Sequence, residues 1–354
     1  MEDAKLIQPV QPEAPKKKTR VLWIDILRGF MMFIVIYGHI TRFPPMQIYI
    51  YSFHMPMFFI ISGMTFKFNK VKDTKTFIWN KFFALMIPYF LLNLYVSPLR
   101  EWLERIGECN MQSWLDLIKG VLYSNADCHL KMASNTTWFI PALFVTTVFV
   151  FLMQKICRSD KGMTIGIIVF MIGFWALGQT KGTGGPWHWR VGIVASVFYL
   201  GGYWFMVFID KIQGFIDRIK GWVWPLCAVM LVAGFFISRF NGSCSMIHNR
   251  YHNLLLYYLS AFITCIAIMF IFMILSKSEK FIRLMKQVEF VGVNTLPYIA
   301  FQVPIMKLFW YYIPWFGTHK EPSVFILSVI LFFGMMPLAK LVDKLIPKQK
   351  KKKA

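Results

Sequence analysis

The chain has 354 residues, of which 57% are hydrophobic and 18% aromatic, while only 16% are charged and the formal net charge is +22. Apolar content on that scale, arranged in long runs, excludes an ordinary water-soluble domain and makes the chain an integral membrane protein. The basic excess would otherwise suggest a nucleic-acid partner, but Lys and Arg recur loop by loop between apolar runs instead of gathering on one soluble unit, so no nucleic acid is expected.

In chain order, residues 1–20 (MEDAKLIQPVQPEAPKKKTR) are polar and Pro-rich and read as a disordered cytoplasmic tail. Hydrophobic windows then predict about ten spans, near 21–40, 47–66, 79–98, 137–154, 163–179, 192–209, 223–239, 253–275, 291–313 and 323–346. The expected fold is an all-α, polytopic transmembrane helical bundle, with residues 21–346 as one domain. No cleavable signal peptide is evident, because 21–40 is too long and carries polar groups.

Basic clusters precede the first span (Lys16, Lys17, Lys18, Arg20) and follow the second (Lys67, Lys70, Lys72, Lys75) and fourth (Lys155, Arg158, Lys161). Others follow the sixth (Lys211, Arg218, Lys220) and eighth (Lys277, Lys280, Arg283, Lys286), and residues 347–354 form a basic tail. The positive-inside rule places these loops and both termini in the cytoplasm, with the spans in the inner, cytoplasmic membrane. The Lys-rich end reads as an anchor against anionic headgroups of the lipid bilayer.

The longest external loop, about 99–136, mixes Glu101, Glu104, Glu108, Asp116 and Asp127 with the amphipathic segment WLDLIKGVLY, Trp114–Tyr123. That segment could cover the outer mouth or lie as an interfacial helix capping the bundle. Cys109 and Cys128 fall in the same loop and could pair in an oxidising compartment, with Cys244 as a competitor, whereas Cys157, Cys227 and Cys265 sit in or beside spans. No repeat of 20–50 residues and no matching halves of the transporter kind stand out.

Ionisable groups inside spans are expensive, so they mark function by default. The first span, VLWIDILRGFMMFIVIYGHI, carries Asp25, Arg28 and His39. The step from Arg28 to His39 returns to nearly the same helix face, about 16 Å further along the axis. His54, in FHMPMFF of the second span, lies at similar depth, just before Pro56. Trp138 opens the fourth span beside Asn135 and Thr136, which lie just outside it in a glycosylation-type sequence without meaning in a bacterial cell; Arg190 precedes the sixth, and Asn294 and Gln302 share one face of the ninth within about 80°.

Signatures of other chemistry are missing: no phosphate-cradling Gly-rich loop, no paired CxxC, no HExxH and no GxSxG. His188, His248 and His252 have spacings that permit a zinc site without supporting one, so no metal is assigned.

The stretch Trp23 to His39 resembles the first-helix signature of the acyltransferase-3 family of membrane acyltransferases, an Arg and a His with ten residues between. The likeness continues in FHMPMFFIISGM (Phe53 to Met64), TWFIPALF (Thr137 to Phe144) and, more loosely, NTLPYIAFQVP (Asn294 to Pro304). The nearest look is to the sugar O-acetylase branch, similar to fucose 4-O-acetylases. This resemblance implies transfer of an acyl group, acetyl above all, from acyl-CoA to a hydroxyl of a surface glycan or its lipid-linked precursor. It puts His39 at the position of the family's catalytic His, with Asp25 and His54 as supporting catalytic groups. Arg28 becomes the contact for the donor, acetyl-CoA, and Trp138, Arg190, Asn294 and Gln302 are candidate substrate-binding residues. The family more often has an acid near Arg190 and a His where Gln302 stands, which favours hydrogen bonding over proton transfer at Gln302.

Each residue also has a plainer reading. His39 could be an interfacial histidine, Asp25 and Arg28 could simply neutralise each other, and His54 could bond a neighbouring helix. A transporter or flippase for a glycan precursor, and a membrane scaffold, are the competing functions.

Overall fold

The computed structural model describes residues 21–67, 73–109, 113–124 and 132–347. The first tail, nearly all of the second, and Cys128 with its expected pairing lie outside the described residues. Within them the chain is helical, with one isolated antiparallel bridge between Ser245 and Arg250. The all-α polytopic bundle expected from the sequence is present.

Seven helices are long and apolar enough to cross a membrane: Leu22–Ile40, Thr74–Arg105, Asn135–Cys157, Pro186–Val207, Ile209–Asn241, Leu254–Leu275 and Glu321–Leu345. The other three expected spans are helical too, as Pro44–Met64, Asp160–Ala176 and Thr295–Tyr312, of 21, 17 and 18 residues. The first and last of these carry polar side chains, His54 and Gln302 among them, that dilute their hydropathy. The periphery is apolar and exposed, as at Ile165, Val169, Ile172, Val229, Val232 and Phe236, which suits contact with lipid.

Polar punctuation sets the helix ends. The side chains of Asp73, Ser113, Ser159 and Asn253 accept backbone N–H bonds from the first turns they precede, satisfying donors that a helix start leaves open. The ninth expected span is not continuous. The run 291–313 is broken at Asn294 (φ −112°, ψ 39°), between the helices Lys286–Val293 and Thr295–Tyr312. Pro297 has no N–H for the Val293 carbonyl, so an unbroken helix would lose a bond there. Asn294 instead donates its own side-chain amide to the Phe290 carbonyl, at 2.8 Å.

Two helix crossings are close enough to need glycine. In the first helix, Leu22–Ile40, Gly29 meets Val288 and Gly292, and a Cβ on Gly29 would overlap the Val288 carbonyl oxygen. In the second, Pro44–Met64, Gly63 meets the Tyr199 backbone, while Gly202 of the Trp189–Val207 helix meets the Ile60 carbonyl. Small residues let helix backbones approach where lipid supplies no hydrophobic drive for association.

Gly202→Ala should therefore destabilise the detergent-solubilised protein by about 1–3 kcal/mol, the usual cost of overpacking. Gly173→Ala, where an added Cβ meets nothing within 4 Å, should be neutral or slightly stabilising. Thermal unfolding of the two variants checks the contrast: equal midpoints would contradict the crossing.

Candidate active site

The first two helices meet around a cavity of about 310 Å³. Its wall on the first helix is Met32, Val35 and His39, and on the second Tyr51, His54, Met55 and Phe58. Asn135, Trp138 and Phe139 close one side, Ser245 to His248 another, and Ile299, Gln302 and Val303 a third. Four of the residues expected from the sequence, His39, His54, Trp138 and Gln302, thus line one space.

His54 is buried, and its Nδ1 lies 2.7 Å from the Ile50 carbonyl one turn back. A carbonyl only accepts, so Nδ1 carries a proton, and in the neutral form of the ring Nε2 is the acceptor. His39 is half-buried, with Nδ1 3.4 Å from the Tyr51 hydroxyl. The Tyr51 ring stands edge-on to both imidazoles, at centroid distances of 6.3 Å from His39 and 5.0 Å from His54. Gln302 is 2% exposed, and its Oε1 has no hydrogen-bond partner. A buried amide oxygen left open at a cavity wall is costly in a finished core and useful in a binding site.

The Asn135–Trp138 wall is held from behind. Asn93 donates its amide to the Tyr89 carbonyl and to Thr137 Oγ1, at 3.0 and 3.1 Å, and its Oδ1 accepts from the Ser134 N–H at 3.4 Å. Thr136 donates to the Ile299 carbonyl, tying this turn to the helix that carries Gln302. Phe139 packs edge-on to Phe58 and Phe59, and Trp138 lies 5.3 Å from the buried His188 ring.

The remaining expected residues lie elsewhere. Arg28 Nη1 is 3.3 Å from Asp25 Oδ1 and 3.5 Å from the Gly292 carbonyl, at the glycine crossing. The cavity stops on the first helix at Met32, one turn short of Arg28. Asn294 does not share a helix face with Gln302, because the helix breaks at that residue; it lines a separate cavity of about 270 Å³ with Phe83, Pro88, Pro297 and Asp343. Arg190 donates to the Thr183 carbonyl at 3.3 Å and covers the Trp189 ring, outside the His39 cavity. His188, His248 and His252 are dispersed: one packs on Trp138, one lines the His39 cavity and one lines another cavity.

The Trp114–Tyr123 helix forms as expected, but it does not cover the His39 cavity. It lines its own small apolar space with Phe90 and Leu94 and leaves Trp114, Leu115, Ile118 and Leu122 exposed, as an interfacial helix would. Tyr51 lines the cavity without having been named from the sequence, and Asn135 and Thr136 line it although the sequence assigned them no role. Tyr51 had a signal, since it stands three residues before His54 and so one turn away on the same helix. Asn135 and Thr136 had none beyond lying next to Trp138.

The molecule is thus a polytopic helical membrane protein with three histidines, His39, His54 and His248, and an unpartnered amide oxygen on the wall of one cavity. A family model described as an acyltransferase domain matches residues 21–341, and the chain belongs to that family, acyltransferase-3. Family membership implies acyltransferase activity at the membrane. Neither the curated proteins nor the solved structures yield a match.

Asn93→Leu should release the Ser134–Trp138 turn and cost about 1–3 kcal/mol, because Thr137 and the Ser134 N–H lose buried partners. Thermal unfolding against an exposed control, Thr318→Ala, measures it; equal stability would mean that Asn93 does not hold the wall.

Proposed function

We propose that the protein transfers an acetyl group from acetyl-CoA to a hydroxyl of a cell-surface glycan or its lipid-linked precursor, within the His39 cavity. The observation that carries this reading is His39 on the wall of a largely apolar cavity, beside Tyr51 and His54, in a chain of an acyltransferase family. The acceptor oxygen attacks the thioester carbonyl while His39 Nε2 takes the hydroxyl proton. The tetrahedral intermediate collapses with cleavage of the C–S bond, and the proton leaves on sulfur as free CoA thiol. For Nε2 to be the base, Nδ1 must carry its proton and donate to the Tyr51 oxygen, so Tyr51 is a positioning residue. The amides of Gln302 and Asn135 supply donors for the oxyanion, and the Nε2 acceptor of His54 holds a second substrate hydroxyl.

Arg28 supports donor placement, oriented by Asp25. With both termini cytoplasmic, Arg28 lies toward the cytoplasmic side and His39 toward the outer side, about 16 Å apart along one helix face. The pantetheine arm of CoA spans that distance, and the side chain in its way is Met32, a flexible thioether suited to moving aside. The acetyl group crosses to the outer cavity while the nucleotide end stays at the inner, basic mouth. Trp138 borders the acceptor in the same cavity.

Two outcomes follow for purified protein. His39→Ala should lower acetyl transfer by about 100- to 10,000-fold while leaving the folded protein in the membrane, the usual loss of a general base. Tyr51→Phe should lower it less and leave acetyl-CoA binding intact. Transfer at the wild-type rate in His39→Ala, followed as CoA thiol release with acetylated product by mass spectrometry, would remove His39 from the mechanism. The second outcome concerns the donor: Arg28→Lys should weaken acetyl-CoA affinity, since the ammonium cannot reproduce the planar, multi-donor guanidinium. Unchanged affinity by calorimetry would contradict donor contact at Arg28.

A further inference from the structure

A second cavity shares one loop with the first. Residues 242–253 connect two membrane-crossing helices and fold back on themselves: the Ser245 and Arg250 backbones exchange hydrogen bonds at 2.8 and 3.0 Å, and Asn249 N–H donates to the Met246 carbonyl at 2.9 Å. Asn241 pins both ends, donating its amide to the Tyr251 carbonyl and accepting from the Asn253 N–H. The loop therefore has two working sides. Ser245, Met246, Ile247 and His248 line the His39 cavity, while Asn249, Arg250, Tyr251 and His252 line the other, about 270 Å³ in volume.

The opposite wall of this second cavity is Trp175, Thr180, Lys181 and Gly182. Its two full cations, Lys181 and Arg250, are exposed, and among the described residues neither has a carboxylate partner. Arg190 adds a third positive charge nearby, reaching the Thr183 carbonyl next to Gly182. The segments 177–190 and 242–253, which build this surface, contain no Asp or Glu at all. Asn249 supplies an independent sign of a ligand. It is fully buried at the cavity wall, its amide donates to the Gln179 carbonyl at 3.0 Å, and its Oδ1 has no hydrogen-bond partner. An orphaned carbonyl oxygen in a cationic cavity asks for a molecule that is an anion and also carries hydroxyl donors. A saccharide bearing a carboxylate has both; a simple anion has only the charge.

We propose that this cavity is a subsite for the acidic unit of an anionic saccharide acceptor, with Lys181 and Arg250 binding the carboxylate and Asn249 accepting a neighbouring sugar hydroxyl. The inference rests on the acyltransferase reading, in which an acceptor held here presents a hydroxyl to His39, and on one loop lining both cavities. Arg190, expected from the sequence as substrate-binding, contributes long-range attraction from behind Gly182 and does not line the His39 cavity.

The test is direct binding to the purified full-length protein, which needs no turnover. Oligogalacturonate and its methyl ester share hydroxyls and linkage but differ in charge. Wild type should bind the acid about tenfold or more tighter than the ester, the scale of charge-assisted hydrogen bonds. Lys181→Gln with Arg250→Gln should erase that preference, while Lys161→Gln with Lys211→Gln, at the other ends of their helices, should keep it. Equal binding of acid and ester by wild type, or a preference retained in the Lys181/Arg250 variant, would overturn the proposal. Displacement of the acid by glycerol phosphate at equal concentration would assign the site to lipid headgroups and overturn it as well. Failure of the acyltransferase reading would show separately, as no acetyl-CoA turnover with any saccharide while the binding preference stands.

Discussion

Close approach of helix backbones at glycine is the constraint on which the rest of the structure depends. Gly29 against Gly292 and Gly63 against the Tyr199 backbone bring the first two helices into the bundle at separations that no side chain would permit. The first crossing brings the Gly292 carbonyl within 3.5 Å of Arg28, whose guanidinium also donates to Asp25 at 3.3 Å, and so satisfies a charge that would be expensive in lipid. The second fixes the rotation of the helix that carries Tyr51 and His54. With both set, His39 and His54 face a common space.

Around that space the polar groups divide into those that are satisfied and those that are left open. Asn93, Thr137, Asn241 and the Ile50 carbonyl are satisfied, and they hold walls or a tautomer. Gln302 Oε1 is open in the first cavity, and Asn249 Oδ1 and the Tyr251 hydroxyl in the second, with a single loop lining both. Since interiors pair nearly all their buried polar atoms, open acceptors at cavity walls are where a ligand fits best. The cluster of Asp25, Arg28 and Gly292 stands apart from both, one helical turn beyond the end of the His39 cavity.

Much of this was legible in the chain. Span positions follow from hydropathy, because apolar runs of bilayer length have few other uses, and the seven crossing helices fall where the apolar windows put them. His39 and His54 were visible as ionisable groups at matched depth, and both line the cavity. Less legible was anything that depends on which helices touch. The pairing of Asn294 with Gln302 failed because a helical wheel assumes a continuous helix, and Pro297 breaks this one. The Trp114–Tyr123 helix has the amphipathic pattern of a lid or of an interfacial cap, and only its packing against Phe90 and Leu94 separates the two. The loop 242–253 has no pattern at all, and its two-sided role comes from the fold-back at Ser245 and Arg250.

The central claim is that acyl transfer takes place in the His39 cavity, with the donor thioester lying between the first two helices. It is tested most directly by an experimental structure of the purified protein bound to a non-hydrolysable thioether analogue of acetyl-CoA. The account predicts the analogue's carbonyl within hydrogen-bond reach of the His39 and Gln302 side chains, with Met32 displaced and the nucleotide on the Arg28 side. An analogue held wholly outside the cavity, with Met32 and His39 untouched, would contradict it.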